Sequence, residues 1–189
     1  LKGMPLEEAV KLVSATGYDA IEIATQPGFD GEPVKLSPQR RKDVRARLEG
    51  AGLRLTSLME HLPPATEDRQ HAADLERLRR VVELGRDLSP KPLPLLQTVL
   101  GGGDWEKKKT LFRDRLGDWL RLAEDARMVF AIKPHRGGGM SRPSEAIWLI
   151  RQLGNSPWLR MVYDYSHYAY RDMPVEETVR EALPFTAHV

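Results

Sequence analysis

Apolar residues follow two alternating patterns along the chain. The first segment carries them at the three-to-four-residue spacing of a helix that ends before Gly17: Leu6, Ala9, Val10 and Val13. The short run at 18–23 that follows is rich in β-prone residues and is too short for another helix. A helix followed by a strand is therefore the first predicted unit.

The same unit recurs to the end of the chain. Further helices are predicted from Ser37-Pro38 (an N-cap and a first-turn proline), over about 68–88, around 111–123, from Pro143 to Gly154 and around 175–182. The predicted strands lie at 20–23, 53–59, 93–100, 128–133, 159–163 and 185–189.

Six helices alternating with six strands predict an α/β fold with a parallel sheet. The strand rhythm favours a TIM (β/α)8-type barrel, with residues 1–189 as a single, incomplete domain of about six βα units. The pattern opens inside a helix and ends inside a strand, so we expect truncation at both ends. A doubly wound sheet is the competing fold, but no G-x-G-x-x-G follows the first strands and Gly101-Gly102-Gly103 lacks that spacing.

Composition narrows the function classes. The net charge of +2 comes from 29 basic and 27 acidic residues mixed along the chain, so no nucleic-acid partner is expected. No apolar stretch reaches the length that spans a bilayer, so no membrane association is expected. The absence of cysteine excludes thiolate chemistry and agrees with a cytoplasmic protein.

Polar side chains collect where the predicted strands end. They are Glu22 and Thr25, Glu60 and His61, Gln97, Lys133 to Arg136, Asp164 to His167, and His188. Four of the five histidines are in this set. Because the carboxyl ends of barrel strands form the active-site face, this clustering predicts an active site there.

Three segments in order carry a family resemblance: Gly17 to Glu22, Pro134-His135, and Asp164-Tyr165-Ser166-His167. With them the whole chain resembles the xylose isomerase-like TIM barrels, the superfamily of sugar phosphate isomerases and epimerases. The resemblance implies a divalent metal (manganese, cobalt or magnesium) held by Glu, Asp, His and Glu from four strand ends. It also implies a sugar or polyol substrate whose oxygens bind the metal while a proton moves between carbons.

Carried over by position, the resemblance makes Asp164 a metal ligand and His167 a group that contacts substrate oxygens and serves catalysis. His188 lies in the segment that supplies the family's metal-binding histidine. The alternatives are a helix-capping Asp164, an exposed loop histidine at 167, and a strand residue at 188 that lines the barrel mouth.

Lys133 departs from the family, which places its first metal-binding glutamate at this position. At an effective dielectric constant near 20 and a separation of about 4.5 Å, a single charge and a divalent metal interact by about 7 kcal/mol, which is repulsive for an ammonium. Lys133 therefore turns away, loses its proton, or pairs with Asp164 at a site where metal is weak or absent. As a catalytic residue it could also form a Schiff base.

The other candidates are weighed against structural roles. His135 and Arg136, with Gly137 to Gly139, could bind a sugar hydroxyl or a phosphate through the guanidinium and free backbone amides, or form a flexible loop. Glu22 is a candidate catalytic acid or base and Glu60 a candidate substrate contact; both could equally be structural carboxylates.

The favoured function is a sugar or polyol isomerase or epimerase, with a sugar phosphate as one possible substrate, acting by metal-assisted proton transfer. One alternative is a degenerate barrel that binds a sugar without turnover. Another is a metal-dependent hydrolase like the apurinic endonucleases, which needs a multi-zinc cluster and a basic surface; the sequence offers neither clearly. A homo-oligomer is possible because open sheet edges recruit partners.

Overall fold

The computed structural model describes residues 2–189. Six strands form one sheet in the order β1-β2-β3-β4-β5-β6. Their bounds are β1 (Ala20–Ala24), β2 (Arg54–Met59), β3 (Leu95–Thr98), β4 (Phe130–Ile132), β5 (Leu159–Val162) and β6 (Thr186–His188). The pairs β1–β2, β4–β5 and β5–β6 are parallel. The α/β prediction and its sequential parallel strand order are confirmed; the observed strands are shorter than predicted at 93–100 and 128–133.

Helices separate the strands. They are α1 (Leu6–Ala15), α2 (Pro38–Gly50), α3 (Asp68–Leu88), α4 (Trp105–Ala126), α5 (Pro143–Gln152), α6 (Tyr165–Ala169) and α7 (Val175–Ala182), with short 3-10 turns at Pro33–Lys35 and Leu183–Phe185. The five-residue helix α6 was not predicted, because its sequence was read as a loop that follows the strand predicted at 159–163. The other helices lie where periodicity and caps placed them.

Local signals explain the helix ends. The hydroxyl of Ser37 accepts a hydrogen bond from the backbone N–H of Arg40 at 3.2 Å, and Pro38 occupies the first turn, where no N–H is needed. The carboxylate of Asp104 caps α4 in the same way by accepting from Lys107 N–H at 3.0 Å. These caps fix the points at which the chain leaves one strand and enters the next helix.

The chain divides into two compact units. The first comprises Leu1–Glu60 and Arg77–Leu96, and the second comprises His61–Glu76 and Gln97–Val189. Val44 and Leu58 are fully buried in the first unit, as are Leu116, Ile150 and Met161 in the second. The single-domain assignment remains a prediction. None of the helices within residues 2–189 is long and apolar enough to cross a bilayer.

Candidate functional site

The ends of β4 and β5 bring the main predicted residues together in the second unit. Lys133 follows β4 directly, and its backbone N–H donates to the carbonyl oxygen of Thr98 at 2.8 Å. Asp164 comes two residues after β5, where the N–H of Tyr163 donates to the His188 carbonyl at 2.8 Å. These backbone hydrogen bonds continue the parallel pairing and fix the polar residues at the carboxyl ends of neighbouring strands.

Asp164 lies at the centre of the cluster. Its Oδ2 is 3.8 Å from Nζ of Lys133 and 3.4 Å from Nε2 of His167. Its Oδ1 accepts hydrogen bonds from the backbone N–H of Ser166 at 3.2 Å and from the Ser166 hydroxyl at 2.7 Å, and this caps α6. One carboxylate oxygen thus starts the helix while the other faces a cation and an imidazole.

His135 completes the cluster. Its ring centroid is 4.1 Å from that of His167, with the two planes at 56°. Its Nδ1 accepts a hydrogen bond from the N–H of Gly137 at 3.2 Å, so the neutral ring carries its proton on Nε2. The Nδ1 of His167 is buried and has no hydrogen-bond partner among the residues that the structure describes.

Burial and the nearby charges set the protonation of these groups. Burial would raise the pKa of Asp164, but the Ser166 hydrogen bonds and the charges of His167 and Lys133 outweigh it and hold that pKa below its usual value. Burial also lowers the pKa of His167, against the opposing effect of Asp164. The pKa of His135 is lowered by burial and by the cations Lys133 and Arg136. The site therefore holds an ionised carboxylate beside two neutral imidazoles near pH 7.

The glycine turn after His135 does not offer the free amides that the sequence suggested. Besides the Gly137 amide, the N–H of Gly138 donates to the His135 carbonyl at 2.7 Å, and that of Gly139 donates to the Gly101 carbonyl at 2.6 Å. A Cβ atom at Gly138 would lie 2.9 Å from the Met140 carbonyl oxygen, so the turn has no room for a side chain. The amides of Gly137 and Gly138 bond to His135 and that of Gly139 to Gly101, so all three are used within the protein; a role of this segment in binding substrate stays a prediction.

The side chain of Arg136 contacts an aromatic ring. Its guanidinium lies 4.6 Å from the ring centroid of Tyr170, and its carbonyl oxygen accepts from Nη2 of Arg171 at 3.1 Å. Both arginine side chains belong to exposed residues. A role for Arg136 in binding substrate remains a prediction.

Glu22 and Glu60 lie in the first compact unit and have partners there. The hydroxyl of Ser57 donates to Oε2 of Glu22 at 2.5 Å. Glu60 is fully buried, forms an ion pair with Arg77, and accepts from the Thr25 hydroxyl at 3.1 Å. Their roles in catalysis and substrate binding remain predictions.

The ligand set for a metal is incomplete in the described residues. No group of three or more His, Asp and Glu side chains that could hold a metal occurs within residues 2–189. Asp164 supplies one carboxylate, and the ammonium of Lys133 lies beside it. His188 is in β6, where its carbonyl oxygen pairs with Tyr163; its role as a ligand stays a prediction. These residues do not fit the four-ligand site that the family resemblance implied.

Two contributors to the site were not predicted. Ser166 holds Asp164 through both its hydroxyl and its N–H, and Arg171 holds the backbone of Arg136. Helix capping by Asp164 was among the alternatives that the sequence raised, but its partner Ser166 was not named, although an Asp two residues before a Ser is a local capping signal. The contact of Arg171 joins residues 35 positions apart and has no local signal.

Comparison with known proteins identifies the family. The profile of the xylose isomerase-like TIM barrel matches residues 10–189. The chain belongs to this family. Comparison with curated protein sequences finds no match.

Solved structures of the family share the fold at low sequence identity. D-psicose 3-epimerase in the presence of D-fructose aligns with a TM-score of 0.84 and 13% identity, over 98% of this chain and 67% of that one. The probable 3-DHS dehydratase of Bacillus anthracis aligns with a TM-score of 0.81 and 13% identity, over 98% and 66%. The 3-keto-D-glucoside 4-epimerase of E. coli aligns with a TM-score of 0.79 and 13% identity, over 97% of this chain and 72% of that one. This xylose isomerase-like chain thus spans about two thirds of the length of the first of these relatives.

Metals occur in some structures with this fold. A xylose isomerase-like TIM barrel protein from Mycobacterium smegmatis was solved in complex with magnesium, and the IOLI protein with a bound zinc atom. The family therefore includes proteins that bind a divalent metal, although the metal differs between them.

Proposed function

We propose that this xylose isomerase-like chain belongs to an isomerase or epimerase that moves a proton between carbons of a sugar or polyol. The observation that carries the proposal is the cluster of Asp164, His167, His135 and Lys133 at the ends of β4 and β5. The carboxyl ends of the strands are where enzymes with this fold place their catalytic groups. Family membership and the sugar epimerases among the solved relatives support the same class.

The two histidines suit proton transfer next to a carbonyl carbon. Because the pKa of each ring is lowered, both are neutral near pH 7 and His167 can accept a proton from carbon. The carboxylate of Asp164, 3.4 Å away, would stabilise the imidazolium that forms. His135 carries a proton on Nε2, since Gly137 donates to its Nδ1, and can donate it to a substrate oxygen. The pair thus supplies a base and an acid whose ring centroids are 4.1 Å apart.

The test is exchange of a carbon-bound proton with solvent. The full-length protein is incubated in D2O with ketoses, aldoses and cyclic polyols, each with and without a phosphate group, and loss of the C–H signal is followed by proton NMR. We expect exchange with at least one substrate, slowed by about 100-fold or more in His167→Gln. Circular dichroism and urea unfolding of the variant check that it is folded.

The sugar-binding barrel without turnover makes the opposite prediction. It requires calorimetric binding of a sugar together with no C–H exchange in any substrate of the panel. Exchange that persists unchanged in folded His167→Gln would instead show that another residue carries the proton.

A further inference from the structure

A lysine side chain lies beside Asp164, the residue that the family resemblance makes a metal ligand. Nζ of Lys133 lies 3.8 Å from Oδ2 of Asp164. The Lys133 side chain is only 17% exposed, half the value for Asp164. The distance is that of an ion pair. The low exposure shows that its cation is largely shielded from water, unlike the ammonium of a fully exposed lysine.

The charged groups around this pair already carry a net positive charge, because Lys133 and Arg136 face the single carboxylate of Asp164. The groups that act electrostatically on Asp164 are Lys133 and His167, and those that act on His167 add His135 and Arg136. Among these groups Asp164 is the one carboxylate, and its Oδ1 is committed to Ser166. A divalent metal at Oδ2 would meet one negative charge and the ammonium of Lys133, so that the local charge would be strongly positive.

We propose that the Lys133 ammonium replaces the divalent metal of the family at this site, and that the site works without a metal. The role of Lys133 in a site that works without a metal rests on the proposed function: Lys133 donates a hydrogen bond to the substrate oxygen that becomes negative during proton transfer. A Schiff base is disfavoured, because an ammonium paired with a carboxylate has no free lone pair for attack on a carbonyl.

The step balances without an oxidant or a metal. The C–H bond next to the carbonyl breaks and its proton goes to His167, while the electron pair of that bond forms a C=C bond and the carbonyl oxygen becomes the enediolate oxygen. The ammonium of Lys133 binds this oxygen and stabilises its charge. Protonation of the former carbonyl carbon by His167, with the hydroxyl proton of the neighbouring oxygen passing to the enediolate oxygen, forms the new carbonyl group and gives the isomer. The epimer forms when the original carbon instead takes a proton from water or a second acid on the opposite face, the C=O bond re-forms, and His167 releases its proton to solvent.

Manganese binding tests the replacement directly. The full-length protein, stripped with a chelator and dialysed, is titrated with Mn²⁺ while free Mn²⁺ is measured by electron paramagnetic resonance. We expect the wild-type protein to bind Mn²⁺ weakly. In Lys133→Glu, the new carboxylate beside Asp164 and the two histidines completes a ligand set, and affinity should rise by about 100-fold or more.

Two variants control for charge. Lys11→Glu makes the same change in net charge on the exposed face of α1 and should leave Mn²⁺ affinity as in the wild type. Lys133→Gln removes the ammonium without adding a carboxylate. Its Mn²⁺ affinity should rise clearly less than that of Lys133→Glu. Tight stoichiometric Mn²⁺ binding by the wild type, or no gain in Lys133→Glu, would overturn the proposal.

Proton exchange after chelation separates this inference from the proposed function. If both hold, C–H exchange survives EDTA and falls in Lys133→Gln through kcat more than through KM. Exchange that disappears with EDTA and returns with Mn²⁺ would contradict a metal-free site but would still support the proposed isomerase function. Absence of exchange under all conditions would count against the isomerase, and the Mn²⁺ titration would still decide where Lys133 lies.

Discussion

The carboxylate of Glu60 is fully enclosed by protein, with 0% of its side chain exposed. Burial raises its pKa, and the opposing effects of Arg77 and of the Thr25 hydroxyl do not fully offset burial. A buried carboxylate of this kind depends on its partner, because removal of one member of the pair leaves the other charge uncompensated.

We therefore predict that Arg77→Met destabilises the protein by about 3 kcal/mol at pH 7.5. The sign of the pH effect follows from the raised pKa of Glu60. The folded state binds this proton more tightly than the unfolded state does, so stability rises as pH falls through the folded pKa. The cost of Arg77→Met should thus shrink between pH 7.5 and pH 5, as measured by urea unfolding.

A double variant is the control. Glu60→Gln combined with Arg77→Met leaves no buried charge, and at pH 7.5 it should be more stable than Arg77→Met alone. If the two variants unfold at the same urea concentration at both pH values, Glu60 is not an ionised partner of Arg77.

The sequence predicted the position of some site residues better than their partners. Lys133, His135, Asp164 and His167 could be grouped because parallel strands end on one face, which is a rule of the fold. The pairing of Glu60 with Arg77 could not be read in the same way, since it depends on how α3 packs, and a charged helix offers several arginines. The hydrogen-bond partners of the glycine amides could not be predicted from the sequence either, because the N–H of Gly139 donates to the carbonyl oxygen of Gly101, 38 positions away.

At the scale of elements, Arg40 on α2 connects two other segments. Its Nε is 3.0 Å from Oε1 of Glu7 on α1, and its guanidinium pairs with Asp30 in the loop after β1. The backbone N–H of Leu6 at the start of α1 also donates to Asp30, at 2.8 Å. The hydrogen bonds from Arg40 are the main reason that the pKa values of Glu7 and Asp30 are lowered.

Arg40→Met should cost about 1 kcal/mol of unfolding free energy at pH 7, a modest value because all three side chains are about one quarter exposed. Carboxylates with a lowered pKa contribute stability above their unfolded pKa and lose it as pH falls through the folded value. The difference between wild type and Arg40→Met should therefore narrow from pH 6 to pH 3, in chemical unfolding at each pH.

The matched control on the same helix is Arg45→Met, which removes the exposed pair between Arg45 and Glu49. Its cost should be about 0.3 kcal/mol. Equal costs for the two variants would contradict a connecting role for Arg40.

The elements that were predicted well have strong local signals, and the one that was missed does not. Periodicity and a Ser-Pro cap defined α2, and α3 extends over the predicted residues. Helix α6 was missed because five residues are too few to show a period, and its tyrosines favour strands. Its capping by Asp164 and the burial of Tyr168 at 0% exposure are tertiary features that override this preference.

At the scale of the whole molecule, the sheet order leaves β1 and β6 each with one strand neighbour within the described residues. The unpaired edge of a strand presents N–H and C=O groups that other chains can pair with. We expect the 189-residue chain alone to self-associate, with sedimentation velocity showing species heavier than 21.4 kDa.

Ala24→Lys at the end of β1 tests whether this edge is the contact, because a lysine at an edge strand discourages pairing. The variant should sediment more slowly than the wild type at equal concentration. A chain that is monomeric over the whole concentration range would refute the expectation of a homo-oligomer.

Asp164 both caps α6 through Oδ1 and faces Lys133 and His167 through Oδ2. The lifetime of the site geometry therefore depends on how often α6 opens locally. Five residues cannot hold a helix by their own hydrogen bonds, so α6 persists through its cap and through Tyr168, whose ring lies 5.2 Å from that of Tyr163. When α6 frays, Asp164 is released from Ser166 and His167 leaves its place together with the helix backbone. The geometry facing Lys133 therefore has the kinetic stability of α6, which can be far lower than that of the folded chain as a whole.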